Sequence, residues 1–176
     1  MGYGVAMRTM RVKELMTRDP KTCSPETPLS TAARTMAAEN CGVLPVVVEE
    51  RCVGIVTDRD VCLAIGNDDA PPSARLVADT MTRGIHFARA DDPIGRALQL
   101  MRRWRVRRLP VLAADGRLEG ILSLGDVALR IGADFPALPT LGEDVARTLQ
   151  AISERQRPAP PAPSRRSRIG AAPLYF

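Results

Sequence analysis

"GIVTDRD", residues 54–60, decides the reading of this chain, and "GILSLGD", residues 120–126, repeats it. Each is an apolar run ending in a hydroxyl residue, Thr57 or Ser123, with an Asp three positions later at Asp60 or Asp126. Read locally, this is a strand turning into a helix. The hydroxyl and the carboxylate form a near capping box, with Asp where Glu is usual. Such a cap stabilises a helix by about 1 kcal/mol. Read chemically, the same pair stands at the free N–H groups and positive end of a helix, where a sugar-phosphate fits. Local pattern alone favours the cap.

The second copy is part of a longer repeat. "VKELMTRDP" from Val12 matches "VADTMTRGI" from Val77, an offset of 65. The same offset pairs Pro28 with Pro93, Ala32 with Ala97, Met36 with Met101, Pro45 with Pro110 and Val46 with Val111. It becomes 66 for Gly54 with Gly120, Asp60 with Asp126 and Leu63 with Leu129. The extra residue falls in "AADGR", an Asp-Gly turn where insertion is cheap. One constant offset with one such slip marks a duplication.

Each unit reads β-α-β-β-α, with a short piece leading in. Thr27-Pro28 and Asp92-Pro93 predict an N-cap followed by Pro at the first helical position. Leu29, Ala32, Ala33 and Met36 share one helix face, as do Ile94, Ala97, Leu98 and Met101. "GVLPVVV" and "VRRLPVLA" read as short strands with an internal Pro, which places them at an edge. "CVGIVT" and "LEGILS" are the next strands, and the helices that follow stop at Gly66 and Gly132. The expected organisation is repeat 1 over 10–66, a linker over 67–75 and repeat 2 over 76–133. A helical extension over 134–154 carries Leu141, Val145, Leu149 and Ile152 at helical spacing. A Pro- and Arg-rich tail over 155–176 reads as disordered. The fold class is α/β (α+β), two repeats packed with pseudo-twofold symmetry into one module that buries a shared sheet face.

Composition narrows the function. Hydrophobic residues make up 45% and aromatics 3%, so the core is aliphatic. The net charge of +5 hints at nucleic acid. Its placement weakens the hint and confines it to the tail, because residues 1–154 hold 20 basic and 20 acidic side chains and the excess is five Arg beyond Glu154. Cysteines stand at 23, 41, 52 and 62 with no CxxC spacing, and His86 is the sole histidine, which argues against a zinc site. No signal-like opening and no run near the roughly 20 residues of a membrane span occur. The expectation is a cytoplasmic protein with reduced thiols and no membrane contact.

The doubled unit resembles the cystathionine β-synthase (CBS) domain pair, or Bateman module. The resemblance is carried by Met16-Thr17 and Met81-Thr82, by Leu44–Val46 and Leu109–Val111, and by the two Gly-apolar-apolar-Thr/Ser-x-x-Asp motifs. It covers roughly residues 10–133 and is similar to small stand-alone bacterial proteins of this type. It implies a non-catalytic regulatory fold that binds AMP, ADP, ATP or S-adenosylmethionine between the repeats, dimerises, and serves in energy or stress sensing through a downstream protein partner.

Set on these residues, the resemblance assigns Asp60 and Asp126 to the ribose diol, which one carboxylate can accept from twice. Thr57 and Ser123 face the phosphate, with Arg59 in the same turn and Arg107 and Arg108 reaching across from the other half. Thr22 and Cys23, and their counterparts His86, Phe87 and Ala88, match the segment that holds the base, with Val43, Pro45 and Pro110 as wall. Duplication and resemblance together favour the site over the bare cap in repeat 1, which has Arg59 where repeat 2 has Gly125. No metal or catalytic residue is expected, and no nucleophile–base pair suggests an enzyme. "MRRWRVRR", 101–108, interleaves Trp104 with arginines in a way that suggests nucleic acid, but a solvated helix end is the plainer reading. The alternative function is a ligand-independent dimerisation module whose Arg-rich tail docks an acidic partner or nucleic acid.

Overall fold

The computed structural model describes residues 10–67, 70–134 and 139–154. The expected disordered tail, 155–176, lies outside them. Repeat 1 contributes a 3-10 turn (Val12–Glu14), β1 (Thr17–Arg18), α1 (Leu29–Ala38), β2 (Val43–Val48), β3 (Arg51–Thr57) and α2 (Asp58–Asn67). Repeat 2 contributes a 3-10 turn (Val77–Asp79), α3 (Ile94–Trp104), β4 (Arg108–Leu112), β5 (Leu118–Ser123) and α4 (Leu124–Asp134), and α5 (Pro139–Ser153) follows. Repeat 1 follows the expected β-α-β-β-α order, whereas in repeat 2 the lead-in strand shrinks to the single bridge of Thr82 with Ile55, leaving α-β-β-α.

The lead-in segments change partners. β1 of repeat 1 pairs antiparallel with β5 of repeat 2, Thr17 opposite Ile121 and Arg18 opposite Gly120. Reciprocally, Thr82 bridges Ile55 of β3. The exchange extends upstream. Val12 N donates to Asp92 O at 3.0 Å and Lys13 N to Ala90 O at 2.9 Å; the equivalent Val77 N donates to Thr27 O at 2.8 Å and Ala78 N to Pro25 O at 2.9 Å. The pseudo-twofold axis passes where Arg51 bridges Arg117, flanked by Cys52 N donating to Gly116 O and Leu118 N donating to Glu50 O.

Two apolar cores result, not one shared sheet face. Leu29, Ala32, Met36, Leu44, Val46 and Val56 of repeat 1 close around Val77 and Met81 of repeat 2. Ala97, Leu98, Met101, Leu109, Val111 and Leu122 of repeat 2 close around Val12 and Met16 of repeat 1. Gly54 and Gly120 exist for this exchange. A Cβ on Gly54 would lie 2.9 Å from Met81 Sδ, and one on Gly120 would lie 2.7 Å from Thr17 O.

Local details differ from the sequence expectation. α1 and α3 begin at Leu29 and Ile94, so Pro28 and Pro93 are the N-cap positions and neither helix has a side-chain cap. The Thr27 hydroxyl and the Asp92 carboxylate instead accept from Ser24 N and Arg89 N, closing the preceding turns. The first free N–H groups are met from other segments, Leu29 N donating to Arg75 O, Ser30 N to Pro72 O and Ile94 N to Met10 O. α2 and α4 run one and two residues past Gly66 and Gly132. Pro45 and Pro110 sit inside β2 and β4, each with its carbonyl accepting from the outer edge, from Cys23 N or Ala88 N. Their missing N–H groups therefore face away from the ladder, which is the one place a strand tolerates Pro.

α5 covers repeat 2 alone. Leu141, Val145 and Ile152 pack on its core, while Leu149 stays half-exposed. Arg102 ties the helix down, donating to Asp144 Oδ1 at 3.1 Å and to the buried Thr148 hydroxyl at 3.4 Å. The counterpart groove between α1 and α2 has no such cover within the described chain and forms a hollow of about 470 Å³. No helix among the described residues is long and apolar enough to cross a membrane.

Candidate functional site

β3 and β5 each run straight into a helix, which brings Thr57–Asp60 and Ser123–Asp126 to the helix mouths. Thr57 N and Oγ1 both donate to Asp60 Oδ2, at 2.9 and 2.7 Å, and Asp60 N donates back to Oγ1 at 3.2 Å. In repeat 2, Ser123 N donates to Asp126 Oδ2 at 2.8 Å and Asp126 N to Ser123 Oγ at 3.1 Å. Both motifs are therefore capping boxes in geometry. The Thr57 hydroxyl is turned onto its Asp, whereas the Ser123 hydroxyl keeps its proton for another acceptor. Both caps use Oδ2, which leaves Oδ1 of each carboxylate as the face a diol would meet.

A cavity of about 360 Å³ opens at the second motif and is lined by both halves. Ser123, Asp126 and Ile121 form one wall. Thr17, Asp19, Pro20 and Lys21, carried in by the exchanged lead-in, continue the lining, Thr17 being paired with Ile121. Glu39, Asn40 and Cys41 close the end of α1, and Val43 and Arg108 meet at the back. Arg108 is in register with Ser123 across β4 and β5, and Val43 is in register with Thr57 across β2 and β3. The two strand starts thus meet between the repeats. The rim holds a Lys21–Glu39 ion pair at 3.4 Å. A cleft with a carboxylate and hydroxyl at a helix start, and a guanidinium 65 residues from its pseudo-equivalent Val43, has the donors and acceptors for a diol and a phosphate.

Of the sequence candidates, Val43, Arg108, Ser123 and Asp126 come together here. Thr57 and Asp60 make the equivalent pair in the other half. Arg59 is exposed, its backbone N–H held by Asp58 Oδ1 at 2.7 Å, and it is not among the residues lining this cavity. The cavity thus forms at the motif that lacks the arginine. Arg107 is exposed and shares with Arg108 and Ser123 a hollow of about 380 Å³ against α5. Pro45 and Pro110 are buried within their strands.

The expected base-holding residues are not among those lining this cavity. Cys23 and Ala88 make parallel bridges to Val46 and Val111, which commits their side chains to the two cores. Burial pushes the Cys23 thiol up to about 11. Thr22 lines a separate hollow with Val47 and Arg117. Phe87 points outward with the Arg89 guanidinium 4.8 Å above its ring. The cavity is served by the residues just before, Asp19 to Lys21. Sequence reasoning missed these, together with Thr17, Glu39, Asn40 and Cys41. Thr17 was within reach through the repeated Met-Thr pair; the others depend on the exchange. No group of three or more His, Cys, Asp or Glu among the described residues is arranged to hold a metal.

The CBS domain model matches residues 12–67 and 77–133. The chain belongs to the CBS domain family. This pair of CBS domains is 37% identical over 121 residues to the uncharacterized protein YlbB of Bacillus subtilis, covering 68% of this chain and 80% of that one. It is also 32% identical over 123 residues to inosine-5'-monophosphate dehydrogenase of Thermoplasma acidophilum, spanning 70% of this chain but 24% of that enzyme. The match to the enzyme is thus one of CBS domains alone. Among solved structures, the CBS domain pair of protein MJ0100 in complex with 5'-methylthioadenosine and S-adenosyl-L-methionine superposes with a TM-score of 0.65 at 25% identity, over 71% of this chain and 98% of that one. CBSX2 in complex with AMP gives 0.61 at 29% identity, over 69% and 98%.

Proposed function

We propose that this CBS pair is a non-catalytic regulatory module that binds an adenosine-containing ligand, AMP, ADP, ATP or S-adenosylmethionine, in the clefts between its repeats. The observation that carries this reading is the cavity in which Ser123 and Asp126 of one half face Lys21, Val43 and the lead-in of the other, with Arg108 at the back. A ligand there touches both repeats, so its binding energy is linked to their relative position. The ligands held by the MJ0100 and CBSX2 pairs support the adenosine assignment. The residues assigned to the ligand are Asp126, Ser123 and Arg108 in one cleft and Asp60 and Thr57 in the other. The uncovered α1–α2 groove gives a homodimer, the assembly the resemblance implies, a face to use.

Melting temperature measured with and without millimolar AMP, ATP and S-adenosylmethionine tests the reading. A ligand at 100 times its dissociation constant stabilises by about 2.7 kcal/mol. That produces a shift of several degrees in a chain of this size. Absence of a shift with all three favours the ligand-independent interaction module.

A further inference from the structure

α5 has no counterpart in repeat 1, and it does not seal against α4 along its whole length. Leu141, Val145 and Ile152 reach the repeat 2 core, but Leu149, on the same stripe, stays 49% exposed. α4 contributes Gly125 and Ala128 to the gap, where the 66-residue offset places Arg59 and Cys62 in repeat 1. Packing does not demand glycine at 125, since a Cβ there would meet only Ser123 Oγ, at an ordinary 3.4 Å. With these two small residues α4 leaves a hollow of about 380 Å³ against α5, its apolar walls being Leu124, Ala128, Val145 and Leu149.

The strand end of this hollow is cationic. Arg107, Arg108 and Ser123 line it, and no carboxylate does. The backbone holds the three together: Arg108 is in register with Ser123, and Leu124 N donates to Arg107 O at 2.9 Å. The rest of the arginine run is occupied elsewhere. Arg102 bonds Asp144 and Thr148, Arg103 lies 5.1 Å from the Trp104 ring centroid, and Arg105 ends α3 in the left-handed conformation. Among the described residues no ion pair or hydrogen bond engages the guanidinium of Arg107 or of Arg108. Asp126 and Asp58 share other hollows with Arg108, and neither lines this one.

We propose that the α4–α5 hollow binds an amphiphilic anion, its unbranched aliphatic chain lying between the two helices and its carboxylate on Arg107 and Arg108. A guanidinium fork takes a carboxylate through two parallel hydrogen bonds. The apolar walls remove methylene groups from water, which tightens binding about fourfold for each one buried. A ribose or a phosphate chain gains nothing from those walls. The hollow is also independent of the adenosine reading, because Val145 and Leu149 lie outside the matched CBS domains, 12–67 and 77–133.

Calorimetric titration of the full chain with hexanoate and octanoate, both below micelle formation, tests this. One equivalent should bind saturably, and the two added methylenes of octanoate should tighten it about fifteenfold. Octanol, which keeps the chain and lacks the charge, should bind about tenfold more weakly than octanoate. Arg107→Gln should weaken octanoate and leave octanol unchanged. Ala128→Phe fills the hollow from an exposed position and should abolish octanoate binding without lowering the melting temperature; Gly125→Leu, three residues earlier on α4, gives a second blocked form. Equal affinity for hexanoate and octanoate overturns the proposal and marks an anion patch only. Equal affinity for octanol and octanoate overturns the role of the arginines, and undiminished octanoate binding by both blocked forms overturns the place. No binding of octanoate overturns it outright and leaves the adenosine reading standing, since that is read by AMP.

Discussion

At Gly120 a Cβ would stand 2.7 Å from the Thr17 carbonyl oxygen and 3.0 Å from Met16 Sδ. The nearest atom is backbone in a paired strand and cannot swing aside. At Gly54 the nearest atom is the flexible Met81 Sδ, at 2.9 Å. Gly120→Ala should therefore cost about 1–3 kcal/mol by overpacking, and more than Gly54→Ala. Urea midpoints of the two variants check the order, and an unaltered midpoint for Gly120→Ala would contradict the close approach. Cys23 gives a pH prediction. Burial raises its thiol from 9.0 to about 11, so the fold favours the neutral form. Its contribution to stability is full below pH 9 and is lost as pH rises toward 11. Cys23→Ala should reduce the fall in melting temperature over that window; an unchanged fall would remove Cys23 from its causes. The caps are the residue-scale feature most legible in the sequence, since Thr57-x-x-Asp60 and Ser123-x-x-Asp126 state their own hydrogen bonds. The parallel bridges of Cys23 to Val46 and of Ala88 to Val111 were not legible. A bridge between segments 23 residues apart leaves no periodic trace.

At the scale of elements, α5 is held by an apolar stripe and one polar clamp. Leu141, Val145 and Ile152 announce the stripe by their spacing, and the helix was legible for that reason. The clamp was hidden, because Arg102 sits in a run of arginines that reads as a solvated face. Its side chain is 25% exposed and bonded to Asp144 and Thr148. A partly buried charge-assisted bond of this kind contributes about 1–2 kcal/mol, and exposure reduces it toward the lower figure. Arg102→Ala should lower the urea midpoint by about that amount and speed hydrogen exchange in α5 before the rest of the chain. Equal exchange in both proteins would show that the stripe alone holds the helix. Helix starts were misjudged in a related way. Thr27 and Asp92 are good cap residues in isolation, but each is one residue too early and is engaged by the turn before it.

At the scale of the whole molecule, duplication was legible and exchange was not. Nine or more identities at a fixed offset reveal two copies, whereas β1 is two residues long and carries no pattern of its own. The exchange makes the halves interdependent. Repeat 2 without repeat 1 loses Val12 and Met16, 0% and 8% exposed, from its core. Losses of this kind cost about 2–5 kcal/mol each, against a typical total of 5–15 kcal/mol. Residues 76–154 expressed alone should therefore be largely unfolded by circular dichroism, and the full chain should melt in one transition. A fragment as stable as the full chain would contradict the exchanged cores. The same exchange builds the cleft, since Asp19 to Lys21 reach Ser123 and Asp126 only because β1 crosses over. The central claim, an adenosine ligand held between the repeats, is tested most directly by calorimetric titration of AMP into the full chain and into Asp60→Ala, Asp126→Ala and the double variant. The account predicts saturable binding by the full chain, partial loss in each single variant and complete loss in the double. Undiminished binding by the double variant would contradict it.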